Sequence, residues 1–269
     1  MKDLTIVVPL YNKVKYVEQC LASIKGSIHE IDWECIVVDD GSTDGSTEVA
    51  KKYCNENHDR FTYLQCLRNH GPFPSYARNV GIRMADSEFL TFFDADDLIC
   101  DGYLDRGVKF MKENPDYCHY SEAFYNVDYE ENCGAYFEYC EFHPFTGVND
   151  IDFPSILKFG GGIYTRGIFK TQEAKKFRYQ DKYLEDSLFI LDYMYPCKKV
   201  KLDNDKFSFY YFSCRCEQDI FAVDKVNNEL GMTERQYLYN YMKETYPDYY
   251  KAFIESNKNY EVEINGNNN

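Results

Sequence analysis

Three short polar clusters follow apolar runs in the first hundred residues: Pro9-Leu10-Tyr11-Asn12, Asp39-Asp40-Gly41-Ser42 and Asp94-Ala95-Asp96-Asp97. The runs before them, residues 4–8, 35–38 and 89–93, read as strands buried on both faces. In an open α/β sheet, ligands bind beyond the carboxyl ends of the strands. The clusters are therefore expected on one edge, bringing the carboxylates of Asp39, Asp40, Asp94, Asp96 and Asp97 together. Like charges at one edge repel unless a cation or hydrogen-bond donors offset them. A hard divalent ion, held by one or two carboxylates and bridging substrate phosphates, resolves the conflict. Turn and cap roles compete with this for Asp39, Asp40 and Asp44, and Asp44 reads better as a cap. Residues 94–97 carry more carboxylates than a turn needs.

The elements that must position these clusters alternate. Val14, Val17, Leu21 and Ile24 recur at helical steps, and Thr43-Asp44 opens a second helix. Residues 61–67 read as a strand and 75–86 as a helix. Alternation of this kind implies right-handed crossovers and a largely parallel sheet, a nucleotide-binding type of α/β architecture. Beyond residue 100 the pattern loosens. A helix fits 101–113, strands fit 117–127, 135–142 and 207–212, and helices fit 183–194 and most of 219–245. Gly160-Gly161-Gly162 marks a tight backbone passage, read equally as a simple turn or as room for a ligand.

Composition narrows the function classes. Of 269 residues, 45 are acidic and 30 are Lys or Arg, giving a formal charge of -15. That balance argues against a nucleic-acid binder and against adsorption to anionic membranes. The N-terminus lacks a basic region, and no apolar stretch reaches the length of a membrane span. The expectation is a cytoplasmic protein with no integral membrane segment, peripheral association being left open. The 11 cysteines are odd in number and scattered, so they are expected to be reduced and mostly buried. Cys214 and Cys216 are too close for the usual zinc spacing, and Cys133, Cys140 and His143 form only a loose cluster. The 26 Tyr and 20 Phe crowd the chain from Tyr103 onward, a hint of two functional halves.

Five motifs together resemble the inverting family-2 glycosyltransferases of the GT-A fold. They are TIVVPLYNKVKYVEQCLASI (5–24), ECIVVDDGSTDGST (34–47), ARNVGI around Asn79, FFDADD ending at Asp97, and YLEDSLFI (183–190). Their order and spacing match the family across about the first 200 residues. The resemblance implies a Rossmann-like, mostly parallel central sheet flanked by helices, with a smaller acceptor-side region. It also implies roles. Pro9 and Tyr11 would line the nucleotide pocket, Tyr11 offering a face for the base. Asp40 would accept from a pyrimidine ring N–H, with Asp39 structural or directed at the ribose. Arg78 would lie near the base or diphosphate. Asn69-His70-Gly71 would form the loop into that helix, His70 being a passenger. Asp94 or Asp96 would touch the ribose, and Asp96 or Asp97 would ligate Mn²⁺ or Mg²⁺ on the diphosphate. Asp186 would be the general base, with Glu185 its companion, although both also suit a helix start. Arg166 reads equally as an acceptor-mouth residue or a lone surface arginine.

The family's Q-x-x-R-W element and membrane spans, features of processive members, are not found in this sequence, which favours single addition. The expected organisation is a donor half at 1–100, an acceptor half at 101–215, a helical extension at 216–264 and a polar tail at 265–269. The donor would be a nucleoside diphosphate sugar, UDP first. The acceptor would be a glycan, glycolipid or protein hydroxyl, with no nucleic-acid partner. Two other functions compete: a nucleotide-sugar binding or scaffold protein without transfer, and a sugar nucleotidyltransferase. The second usually shows a Gly-rich basic loop after the first strand, where this chain has only Lys13.

Overall fold

The computed structural model describes residues 1–67, 71, 73–129, 139–143, 165–182, 184–197, 199–214, 226–227, 232–248 and 250–251. The expectations at Asn69-His70, Gly160–Gly162, Cys133, Cys216 and the tail fall outside them.

The chain opens as β1 (Leu4–Leu10), α1 (Val17–Ser27), β2 (Trp33–Asp39), α2 (Ser46–Glu56), β3 (Phe61–Gln65), α3 (Ser75–Met84) and β4 (Phe89–Phe92). All seven residues of β1 and all four of β4 are buried, which is why their sequences are apolar without alternation. β1 pairs in parallel with β2 on one side and β4 on the other, and β3 extends β2 in parallel. The remaining elements are β5 (Leu98–Ile99), α4 (Tyr103–Glu113), β6 (His119–Tyr129), β7 (Tyr139–His143), β8 (Ile168–Lys170), α5 (Thr171–Ala174), α6 (Glu185–Cys197), β9 (Val200–Cys214), β10 (Val226–Asn227), β11 (Met232–Thr233) and α7 (Glu234–Thr245). The large sheet runs β3-β2-β1-β4-β8-β6-β9-β5, with β7 paired to β6. β8 runs antiparallel to both β4 and β6, while β6 and β9 are parallel. The fold is the expected α/β architecture: β8 joins the parallel set β3-β2-β1-β4 to the parallel pair β6-β9, which β7 and β5 flank in antiparallel.

Three expectations change. Among the described residues of 219–245, Val226–Asn227 and Met232–Thr233 pair as an antiparallel ladder, and the helix runs Glu234–Thr245. β9 is longer than 207–212, since it pairs with β6 along most of its length. Cys20, Cys35, Cys54, Cys66 and Cys100 are free, but Cys118 is disulfide-bonded, against the expectation of reduced thiols throughout.

Two packing contacts bear on the site. A Cβ on Gly81 would come within 2.2 Å of Val7 Cγ1, so α3 lies directly on β1. Gly81→Ala is expected to destabilise the fold by about 1–3 kcal/mol through overpacking, outweighing the roughly 0.5–1 kcal/mol helical gain of alanine. A lower denaturant midpoint at unchanged slope checks it. At the other end of the chain, the hydroxyls of Tyr241 and Tyr246 donate to Asp192 Oδ1 at 2.8 and 2.5 Å. They tie the C-terminal helix to α6.

Candidate active site at the carboxyl edge of the sheet

The parallel strands end together, and the backbone keeps their loops together. Asp40 N–H donates to the Leu10 carbonyl at 2.8 Å, and Cys66 N–H to the Asp39 carbonyl at 2.8 Å. Asn12 takes a left-handed backbone (φ 51°), which Asn tolerates better than most residues. Its side chain accepts from Thr43 N–H at 2.8 Å, and its own N–H donates to the Ser42 hydroxyl at 3.0 Å. These bonds join the first loop to the second. Beyond them lies an open cleft of about 260 Å³, whose walls include Pro9, Tyr11, Lys13, Asp40, Phe73, Arg78, Asp94 and Asp96.

The carboxylates divide by environment. Asp39 faces inward and accepts from Ser42 N–H, Thr47 Oγ1 and Tyr63 Oη, at 2.9, 2.5 and 2.6 Å. Burial pushes its carboxyl up, but those donors outweigh it and hold the group below the usual carboxylate range. Asp44 caps: it accepts from Val14 N–H at 3.0 Å and Ser46 N–H at 2.9 Å. Asp40 is buried and lines the cleft, where Tyr11 is 39% exposed.

The loop after β4 is held by two buried arginines. Arg78 Nη2 donates to Asp94 Oδ1 at 2.9 Å, and Arg166 Nη2 to Asp94 Oδ2. Arg166 Nε also holds Asp97 Oδ2 at 2.5 Å. Both oxygens of Asp94 are thus engaged by guanidinium groups. Burial raises its carboxyl, and the two arginines overcome that and hold it well below the ordinary value. Asp97 moves the other way: burial, reinforced by Asp96 and Asp94, lifts it despite Arg166. Asp96 sits on the cleft wall, with Oδ2 2.5 Å from the Lys13 ammonium.

Glu185 and Asp186 occupy the first turn of α6. The residue before them, Leu184, has φ 62° and accepts from Leu188 N–H at 2.9 Å. A left-handed leucine costs about 1–3 kcal/mol and persists only where its surroundings impose it. Here Leu184 packs against the core. The approach to α6 is tied to α3 by bonds in both directions: Asn79 Nδ2 donates to the Tyr179 carbonyl at 2.8 Å, and Tyr179 N–H to Asn79 Oδ1 at 3.0 Å. Ser75 Oγ adds a bond to the Gln180 carbonyl at 2.8 Å. This brings Arg78 Nη1 to 2.6 Å from Asp186 Oδ1 and 3.3 Å from Glu185 Oε1. Burial, together with Asp186, raises the Glu185 carboxyl against Arg78.

The expected residues therefore gather from distant parts of the chain, with differences in how they are used. Arg78 directs Nη1 and Nη2 to carboxylates and lies over the Tyr179 ring, 5.1 Å from its centroid. Asp97 is buried behind the cleft wall. Arg166 is not a surface residue: it is 3% exposed. Arg166 was open between the acceptor mouth and the surface, and the sequence did not single out Lys13 or Phe73 as parts of the site. Charge accounting could have found Arg166 and Lys13, because a cluster of carboxylates demands counter-charges and basic residues nearby are few.

The donor set can be tested against a divalent ion. Asp94, Asp96, Asp97, Glu185 and Asp186 meet Arg78, Arg166 and Lys13. Fully ionised, that set is two negative charges in excess, which protons on the two raised carboxyls or a divalent ion would offset. Among the described residues, no three His, Cys, Asp or Glu side chains form a metal cage. Asp94 has no unengaged oxygen. Asp96 faces the cleft, and Asp97 Oδ1 is buried without a hydrogen-bond partner. The residues thus fit an ion held by one or two carboxylates and completed by phosphate oxygens.

A sheet whose parallel strands end at an open cleft with an acidic loop is an α/β architecture of the class that binds ligands at the carboxyl ends of its strands. The model of the family "Glycosyl transferase family 2" matches residues 5–143, and the chain belongs to that family. A similar protein is an uncharacterized glycosyltransferase of Rickettsia bellii, 31% identical over 154 residues, 57% of this chain and 20% of that protein. Another is the poly(ribitol-phosphate) beta-N-acetylglucosaminyltransferase TarS of Staphylococcus aureus, 34% identical over 115 residues, 42% of this chain and 20% of TarS. The matches span about a fifth of the length of these relatives. Among solved structures, S. aureus TarS 1-349 in complex with UDP superposes with a TM-score of 0.63 at 24% identity, covering 78% of this chain and 60% of that one. The mannosyltransferase PcManGT of Pyrobaculum calidifontis, in complex with GDP-Man and Mn²⁺, gives 0.56 at 19%, covering 78% and 59%. These likenesses show the GT-A fold. Among the described residues, no helix is long and apolar enough to cross a membrane.

Proposed function

We propose that the protein transfers one glycosyl unit, with inversion, from a UDP-sugar to a hydroxyl of a glycan, glycolipid or protein acceptor, with Mn²⁺ or Mg²⁺ on the donor diphosphate. One observation carries the reading: Arg78 joins Asp186 to the acidic loop that ends β4, beside a cleft lined by Tyr11 and Asp40. Tyr11 offers the base a face. Asp40 accepts from the ring N–H of uracil. Bound at Asp96, the ion supplies Lewis-acid stabilisation to the departing diphosphate. Asp186 takes the acceptor's hydroxyl proton as the acceptor oxygen bonds to the anomeric carbon. The bond from that carbon to the diphosphate oxygen breaks, and its electron pair leaves with the nucleoside diphosphate. Arg78 Nη1, 2.6 Å from Asp186 Oδ1, fixes the direction of the base. UDP and UDP-GlcNAc in the TarS complexes support the donor class, and Mn²⁺ in the mannosyltransferase complex supports the metal.

Base recognition is tested by calorimetry with UDP, CDP and GDP, with and without Mn²⁺. Cytosine presents a lone pair where uracil presents N–H, so facing Asp40 costs it about 1–3 kcal/mol. UDP is expected to bind about tenfold or more tighter than CDP, and more tightly with Mn²⁺ than without. Equal affinities for UDP and CDP contradict the role given to Asp40.

A further inference from the structure

The side chains of Asp186, Arg78, Asp94, Arg166 and Asp97 form one continuous chain of charge. Arg78 holds Asp186 Oδ1 at 2.6 Å through Nη1 and Asp94 Oδ1 at 2.9 Å through Nη2. Asp94 passes the chain to Arg166, which holds Asp97 at 2.5 Å. Arg166 is anchored in turn: its carbonyl accepts from Thr91 Oγ1 at 3.1 Å and Tyr103 Oη at 2.8 Å. Both arginines are nearly without exposure, at 2% and 3%. A guanidinium is a rigid fork that fixes two carboxylates relative to each other, which a point charge on a flexible stem does not do.

We infer that Arg78, backed by Arg166, is a positioning residue of the transfer reaction: by sharing Asp94 it holds the base Asp186 in register with the donor-side loop 94–97. This rests on the transferase reading above and adds to it a physical link between the acceptor and donor sides of the site. That link is needed because the two sides come from different parts of the chain, and misplacement by about 1 Å can cost about 10²-fold in rate. Among the described residues, the groups facing Asp186 are Arg78 from α3 and Glu185 beside it on α6, with the Tyr179 ring beneath Arg78. Of these, Arg78 alone carries a positive charge.

The test uses Arg78→Lys and Arg166→Lys in the full chain, with melting temperature, UDP–Mn²⁺ affinity, and kcat and KM for a donor that the wild type turns over. In Arg78→Lys, which keeps the charge and loses the fork, kcat is expected to fall about 10²-fold, more than UDP–Mn²⁺ affinity changes. Arg166→Lys, which loosens Asp94 and Asp97, is expected to lower kcat by a smaller factor, again by more than it changes UDP–Mn²⁺ affinity. Folded variants with wild-type kcat, or with a loss of kcat matched by an equal loss of nucleotide affinity, overturn the inference. Should Arg78→Lys fail to fold, Arg166→Lys decides by the same readings. A wild-type protein that releases no nucleoside diphosphate fails the transferase reading instead. Crystal structures of the lysine variants then decide: an Asp186 carboxylate displaced relative to loop 94–97 supports the arginine clamp, and an unmoved one overturns it.

Discussion

Asp186→Asn is expected to lower glycosyl transfer by about 10²–10⁴-fold, the range for loss of a positioned general base, while nucleotide binding stays intact. The amide oxygen of Asn can still accept from Arg78 Nη1, which now stands 2.6 Å from Asp186 Oδ1. The substitution therefore removes the site for the acceptor's proton and keeps the hydrogen bond that places the side chain. Asp186 does not line the cleft that includes Tyr11, Asp40 and Asp96, so UDP–Mn²⁺ affinity has no reason to change. Steady-state kinetics with saturating donor, paired with calorimetry, separates the two quantities. Near-normal transfer, or a loss matched by equal loss of nucleotide affinity, removes Asp186 from the role of base.

Asp96→Asn is expected to act on the donor side. The variant keeps a neutral oxygen in place of the carboxylate that faces the cleft, and it releases Lys13 from its 2.5 Å pairing. A divalent ion held by one or two carboxylates plus phosphate oxygens then loses a main protein ligand. The enhancement of UDP affinity by Mn²⁺ should disappear, and transfer should fall with it. UDP affinity without metal should hold or rise, because one negative charge near the diphosphate is gone. Manganese electron paramagnetic resonance, run with and without UDP, reads ion binding without any turnover. An Asp96→Asn protein that binds Mn²⁺ and UDP together as tightly as wild type would move the ion elsewhere.

The sequence made the donor-side half of the fold legible because buried parallel strands leave a strong local signal. β1, β2 and β4 are short apolar runs, each followed by a polar loop, so the strand ends and the loops were readable together. β8 was not, being a three-residue strand whose place between β4 and β6 depends on pairing at long range. The segment before α7 misled for a related reason: a two-residue ladder carries no periodicity of its own. In the site, Tyr11, Asp40, Asp94, Asp96 and Asp186 could be singled out by motif and strand end. Arg166 was readable only as an acceptor-mouth or surface residue, and not as a buried clamp, because its partners Asp94 and Asp97 lie 72 and 69 residues away in the chain. The direction of Arg78 was hidden for the same reason. Only the fold shows that Asp186 and Asp94 engage its two Nη atoms.

The most direct test of the central claim is release of nucleoside diphosphate from a panel of sugar nucleotides incubated with the protein and Mn²⁺. UDP release from at least one UDP-sugar is expected, slow by hydrolysis alone and faster when a hydroxyl acceptor is supplied. Absence of release from every donor, or pyrophosphate formed from a nucleoside triphosphate and a sugar phosphate, would contradict that claim.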